Sequence, residues 1–153
     1  IYSIARQESH FIPSAVSFSS AQGVMQIMPF LSYDISKKLN EDYNVYEQFI
    51  PEKNIKYGSI HLDTLMNQFD NNPLFIAYAY NGGAGYTRNQ LKKGLFKEKS
   101  KYEPFLSMEM ISYTETREYG KKVLANYYIY NNHLNKRNKI PLSTIFRSLV
   151  SPY

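Results

Sequence analysis

Between positions 55 and 69, apolar residues recur at helical spacing as Ile55, Leu62, Leu65, Met66 and Phe69. That period commits the middle of the chain to an amphipathic helix that must bury one face. Pro51 followed by Glu52 supplies its start, since a proline in the first turn gives up no hydrogen bond and an acid there meets the positive end of the helix dipole. Asp70-Asn71-Asn72-Pro73 breaks the pattern. Pro73 then opens another helix, through Ile76 and Ala77 to about Asn81.

The same period recurs on both sides of this element. Ile1, Ile4, Ala5, Glu8 and Phe11 fall on one helical face, which Pro13 ends, and Ser14 to Ser20 reads as a loop. Ala21 to Met28 is expected as a short helix with Val24, Ile27 and Met28 apolar, stopped by Pro29. Leu31, Ile35 and Leu39 form a further stripe, and residues 40–50 an irregular connection. Gly82, Gly83 and Gly85 are expected as a tight loop, followed by a short helix from about Asn89 to Lys93 that ends at Gly94. A charged loop covers 95–103, and a helix runs from about Pro104 to Tyr113. Thr114 or Thr116 can cap a last long helix, packed through Tyr119, Val123, Tyr127 and Tyr130. Gly120 within it costs about 1 kcal/mol relative to Ala. No strand alternation is visible, so the fold class is all-α. We expect one domain over 1–134 and a basic tail over 135–153, packed on the domain or trailing from it.

The composition narrows the function. A length of 153 residues suits one domain with a real core. The net charge of +5 favours anionic polymers, namely nucleic acid, anionic lipid or anionic cell wall. The basic residues are dispersed, with no zinc-finger spacing, aromatic RNA-binding motif or basic-region heptads, which argues against nucleic acid. With no Cys and only three His lacking ligand spacing, neither a metal nor another cofactor is expected. No apolar stretch reaches the roughly 18 residues that a membrane-spanning helix needs. Ile1 opens within a helical pattern and no leader precedes it, so we expect upstream segments in the full-length chain. The aromatic content of 16% comes from 15 Tyr and 9 Phe with no Trp. Tyrosine suits sugar binding through its flat apolar face and polar tip, although most Tyr positions suit half-buried helix packing equally well.

Several residues stand out as chemistry. Glu8 is a carboxylate on an apolar helix face. Such a group is either paired, for example with Arg6 or a distant Arg, or pushed towards the neutral acid that protonation of a glycosidic oxygen requires. Gln26 is a polar amide inside an apolar segment, available to a substrate, to Glu8 or to the backbone. The glycines of Ala79-Tyr80-Asn81-Gly82-Gly83-Ala84-Gly85 either admit a ligand close to the backbone or simply turn the chain; no phosphate-loop signature accompanies them. Glu109 and Glu115 are candidates for a second carboxylate, with Glu115 also reading as a first-turn or salt-bridge residue.

The ordered set Arg6-Gln7-Glu8-Ser9, Gly23-Val24-Met25-Gln26-Ile27-Met28-Pro29, Ala79-Tyr80-Asn81-Gly82-Gly83-Ala84-Gly85 and Glu115-Thr116-Arg117-Glu118-Tyr119 with Val123-Leu124-Ala125 resembles the catalytic domain of the Slt-type soluble lytic transglycosylases, of glycoside hydrolase family 23. The similarity spans residues 1 to about 132. It implies a lysozyme-like helical fold with a substrate cleft. It implies cleavage of the β-1,4 bond between N-acetylmuramic acid and N-acetylglucosamine, with peptidoglycan strands and muropeptides as partners, a periplasmic or envelope location, and an upstream helical domain. By position, the resemblance gives Glu8 as the acid/base and Ser17, Gln26, Met28, Tyr80 and Glu109 as substrate-binding residues. It removes the need for a second catalytic carboxylate. Val24 departs mildly from the usual Leu. Gly82 and Ala84 stand where Ala and Pro are commoner, which implies a more flexible loop. Two other activities share these features: a goose-type lysozyme that uses water as acceptor, and a non-catalytic peptidoglycan-binding module.

Overall fold

The computed structural model describes residues 1–98 and 100–150. Among them are eight α-helices, one short 3-10 helix and no strand, so the all-α expectation holds. The expected loop over 95–103 includes Lys99, and the expected tail includes 151–153; these four residues lie outside the described set. The chain forms two compact units, Ile1–Thr64 and Leu65–Tyr153.

The first unit holds α1 (Tyr2–Ser9), α2 (Pro29–Lys38), a 3-10 turn at Val45–Phe49 and all but the last turn of α3 (Pro51–Gln68). α1 stops earlier than its apolar spacing predicts. His10 and Phe11 both take the left-handed conformation, with φ of 55° and 66°, so Phe11 lies beyond the helix and is exposed. The expected helix over 21–28 is absent. Gly23 and Gln26 have φ of 77° and 49°, which a right-handed helix does not admit, and Gln22 instead makes isolated bridges to both Val16 and Ile27. The turn buries Val24, Met25 and Ile27 as a helix would have done, which is why the apolar spacing misleads. Pro29 begins a helix rather than ending one: it occupies the first turn of α2, and Met28 before it is extended, as a residue preceding proline prefers to be. At the edge of this unit, Glu41 binds Lys53 at 2.7 Å, Tyr57 Oη at 3.0 Å, and Lys56. The Lys53 bond foremost, then Lys56 and Tyr57, hold its carboxyl down at about 2.

The second unit is built around α4 (Pro73–Gly82), in which every residue from Leu74 to Ala79 is buried. A helix apolar all round needs neighbours on several sides. It packs against α7 (Thr114–Leu134) and α5 (Ala84–Lys92). Asn72 caps it, its Oδ1 accepting from the backbone N–H groups of Leu74 and Phe75 at 3.1 and 3.2 Å. The expected glycine loop shrinks to one residue. Gly82 closes α4, Gly83 turns at φ 90°, and α5 begins at Ala84, so Gly85 is helical and α5 starts well before Asn89. α6 (Phe105–Glu109) stops short of Tyr113. Neither Thr114 nor Thr116 caps α7: Tyr113 holds that position without a side-chain bond. Residues of the basic tail form α8 (Leu142–Ser148), with Ile145 and Leu149 buried.

Candidate active site

Glu8 sits half-buried in the last turn of α1. The next residue, Ser9, is buried and donates its hydroxyl to the Val24 carbonyl at 2.8 Å, which fastens the end of α1 to the 22–27 turn. Within that turn, Asn54 of α3 is fully buried and binds three partners. Its Oδ1 accepts from Met25 N at 2.6 Å, and its amide donates to the Gln22 carbonyl at 2.9 Å and to Gln48 Oε1 at 3.2 Å. Gln26 is half-buried, and its Nε2 donates to the carbonyls of Ala15 and Gly23, both at 3.0 Å. Both contacts are acceptors, so the amide nitrogen is committed to the backbone and its orientation is set. Ser17 closes the neighbouring loop, its Oγ accepting from Ala21 N at 3.0 Å while its own N–H donates to the Ala21 carbonyl at 3.0 Å. Met28 follows, half-buried, at the N-cap of α2. Four of the six expected site residues thus lie on one hydrogen-bonded stretch, or one bond away from it.

Tyr80 and Glu109 belong to the second unit. Tyr80 is half-buried near the end of α4. Beside it, Asn81 accepts from the Thr116 hydroxyl at 2.8 Å and donates to Glu115 Oε1 at 3.2 Å, so this motif pins the start of α7. Glu115 therefore acts as a first-turn structural partner. Glu109 is exposed at the end of α6 and pairs with Lys121 Nζ at 2.7 Å. Arg117 donates to the carbonyls of Glu109 and Ile111 at 3.4 and 3.5 Å, which orders the segment that follows α6. Tyr78, the inward neighbour of this motif, has a buried hydroxyl with no partner among the described residues. Burial first, then the charge of Glu109, pushes that phenol upwards. Asn54 carries no functional signal in the sequence, and Thr116 reads there only as a possible helix cap within a motif. A polar Asn within the first turn and a half of a helix was the only local sign for Asn54.

Residues 1–103 match the family model described as the transglycosylase SLT domain. The chain belongs to this family. The soluble lytic murein transglycosylase of Salmonella typhimurium is 34% identical to the SLT chain over 139 residues, covering 90% of this chain and 21% of the relative. The Escherichia coli K12 protein of the same name is 37% identical over 124 residues, covering 80% and 19%. Among solved structures, the 70 kDa soluble lytic transglycosylase of Escherichia coli aligns with a TM-score of 0.79 at 32% identity, over 98% of this chain and 22% of that one. An inactive glutamate-to-glutamine mutant of the lytic transglycosylase Slt from Pseudomonas aeruginosa aligns with a TM-score of 0.76 at 29% identity, over 93% and 23%. The lysozyme-like helical class expected for an SLT domain stands. The chain spans about a fifth of the length of the curated relatives it matches.

Proposed function

We propose that this SLT domain is a peptidoglycan lytic transglycosylase in which Glu8 acts first as general acid and then as general base. The position of Glu8 carries the proposal. It lies in the last turn of α1, and its neighbour Ser9 is anchored at 2.8 Å to the turn that holds Gln26. The first step needs Glu8 as the neutral acid. The relatives named lytic murein transglycosylases support the reaction class, and the inactive Pseudomonas mutant supports dependence on a glutamate.

In the first step the Glu8 carboxyl gives its proton to the glycosidic oxygen as the bond from muramic acid C1 breaks, and the N-acetylglucosamine end departs with a free 4-hydroxyl. The Glu8 carboxylate then takes the proton of the muramic acid 6-hydroxyl. That oxygen bonds to C1, giving the 1,6-anhydro product and restoring the acid. The nucleophile belongs to the substrate, so its attack is intramolecular, which is why one carboxyl suffices. Ser17 keeps an O–H to donate to the glycan, and Gln26 keeps its carbonyl oxygen to accept. Met28 and Tyr80 offer apolar surface, and Glu109 contacts the muropeptide. The charge of +5 assists adsorption to an anionic wall. The relatives, of which this chain covers about a fifth, support a reading in which the domain acts in the cell envelope and is joined to an upstream helical region in its full-length protein.

Mass spectrometry of purified sacculi after digestion tests the proposal. Anhydro-muropeptides, one water lighter than hydrolysis products, are expected, and Glu8→Gln should lower the rate at least about 100-fold. Reducing-end products alone would make the domain a hydrolase of the goose-lysozyme kind. Sacculus binding without cleavage by the wild type would make it a binding module.

A further inference from the structure

We propose that Tyr113, backed by Tyr86, is a stacking platform for one sugar ring of the glycan strand, in addition to the residues assigned above; this rests on the peptidoglycan reading. The two rings lie nearly parallel, 7° apart with centroids at 4.2 Å. The pairs Tyr33–Tyr43, Phe75–Phe96, Tyr78–Phe96 and Phe105–Phe146 meet instead at angles between 47° and 89°, the tilted geometry that ring quadrupoles prefer in packing. The Tyr86 hydroxyl fixes the arrangement: it accepts from the Tyr113 backbone N–H at 3.0 Å and shares a hydrogen bond with Ser112 Oγ at 2.9 Å. Tyr113 nevertheless remains 57% exposed, although Tyr86 is stacked against one of its faces.

Folding does not account for that exposed ring. Tyr113 is the N-cap of α7, where Ser, Thr, Asp or Asn would bond the helix end, and it makes no such bond. A flat, immobilised, half-solvated aromatic face matches the C–H face of a pyranose and loses little entropy on binding. The setting matches the same ligand. Tyr113 ends the segment that starts at Glu109, and Arg117 orders that segment through the carbonyls of Glu109 and Ile111. Ser112, whose Oγ lies 2.9 Å from the Tyr86 hydroxyl, sets a polar group beside the stacked pair for a hydroxyl edge of a sugar.

The test uses the Glu8→Gln protein, which holds substrate uncut, and calorimetry with a soluble tetrasaccharide of alternating N-acetylglucosamine and N-acetylmuramic acid. Adding Tyr113→Ala should weaken binding about tenfold, while Tyr113→Phe, which keeps the flat face, should restore most of the affinity. In the active background, Tyr113→Ala should raise KM more than it lowers kcat. The platform is overturned if Tyr113→Ala binds like its parent, or if Tyr113→Phe loses as much as Tyr113→Ala. In both cases a wild type that still cleaves sacculi leaves the enzymatic proposal standing. A wild type that neither binds nor cleaves overturns both.

Discussion

At Gly23 the backbone φ is +77°, and a Cβ would lie 2.3 Å from the Gln48 carbonyl oxygen and 2.6 Å from the Asn54 side chain. Both the conformation and the space require glycine, and the turn built on it holds Gln26 and receives Ser9. Gly23→Ala is therefore expected to destabilise the protein by about 3 kcal/mol, read from urea unfolding, with loss of sacculus cleavage at temperatures where the wild type is active. A change under about 1 kcal/mol would mean that the turn yields easily. Gln26 itself was legible as an odd polar residue, but the helix assigned around it was wrong, because apolar spacing over eight residues cannot distinguish a helix from a bridged turn. Glu41 offers a second prediction. Its carboxyl falls from an ordinary 4.5 to about 2 in the fold. Its contribution to stability is thus fully present above about pH 4.5 and is lost as pH falls through about 2. Wild type should exceed Glu41→Gln in denaturant midpoint at pH 6, with the gap closing between pH 4.5 and 2; a gap that persists at pH 2 would assign the effect to packing.

Helix propensity and packing disagree in sign at Gly120. In an isolated helix Gly120→Ala would stabilise by about 1 kcal/mol. In α7, however, the added Cβ would lie 2.2 Å from Cε1 of Tyr78, whose side chain is buried on α4 and has no room to retreat. The glycine is what lets α4 and α7 approach, so we expect Gly120→Ala to lower stability by about 1–3 kcal/mol, seen as a fall in Tm. A rise in Tm would show that propensity dominates. Gly82 makes the same point more mildly: its Cβ would meet Thr116 Oγ1 at 2.8 Å, so the glycine is packed at a helix end and does not loosen a loop. Long elements with a repeated apolar stripe, such as α3, were legible because many residues agree. The starts of α5 and α7 were not, because Gly83 turns the chain in a single residue and Tyr113 begins α7 with no side-chain cap, so neither start carries the usual local pattern.

Across the whole molecule, the ordered motifs identified the family although no single one decides it, while the C-terminal residues gave no period. A seven-residue helix offers too few positions for one, and the basic, proline-containing composition of 135–153 hides two apolar anchors. Ile145 is 3% exposed and Leu149 is fully buried. Asn72, which caps α4, also donates to the carbonyls of Ser148 and Leu149 at 3.4 Å each, and the Phe146 ring rests on Phe105 with centroids 4.8 Å apart. The cap of the central helix in the second unit is thereby tied to α8. Burying two such aliphatic side chains contributes about 3–6 kcal/mol, a large share of the roughly 5–15 kcal/mol that stabilises a typical domain. A protein ending at position 134 should therefore melt about 10–20 °C below the full chain, and Leu149→Ala alone should cost about 2–4 kcal/mol. If the shortened protein keeps its Tm while Leu149→Ala is neutral, α8 adds nothing to the second unit; a large fall in both makes 135–150 an integral part of the folded domain.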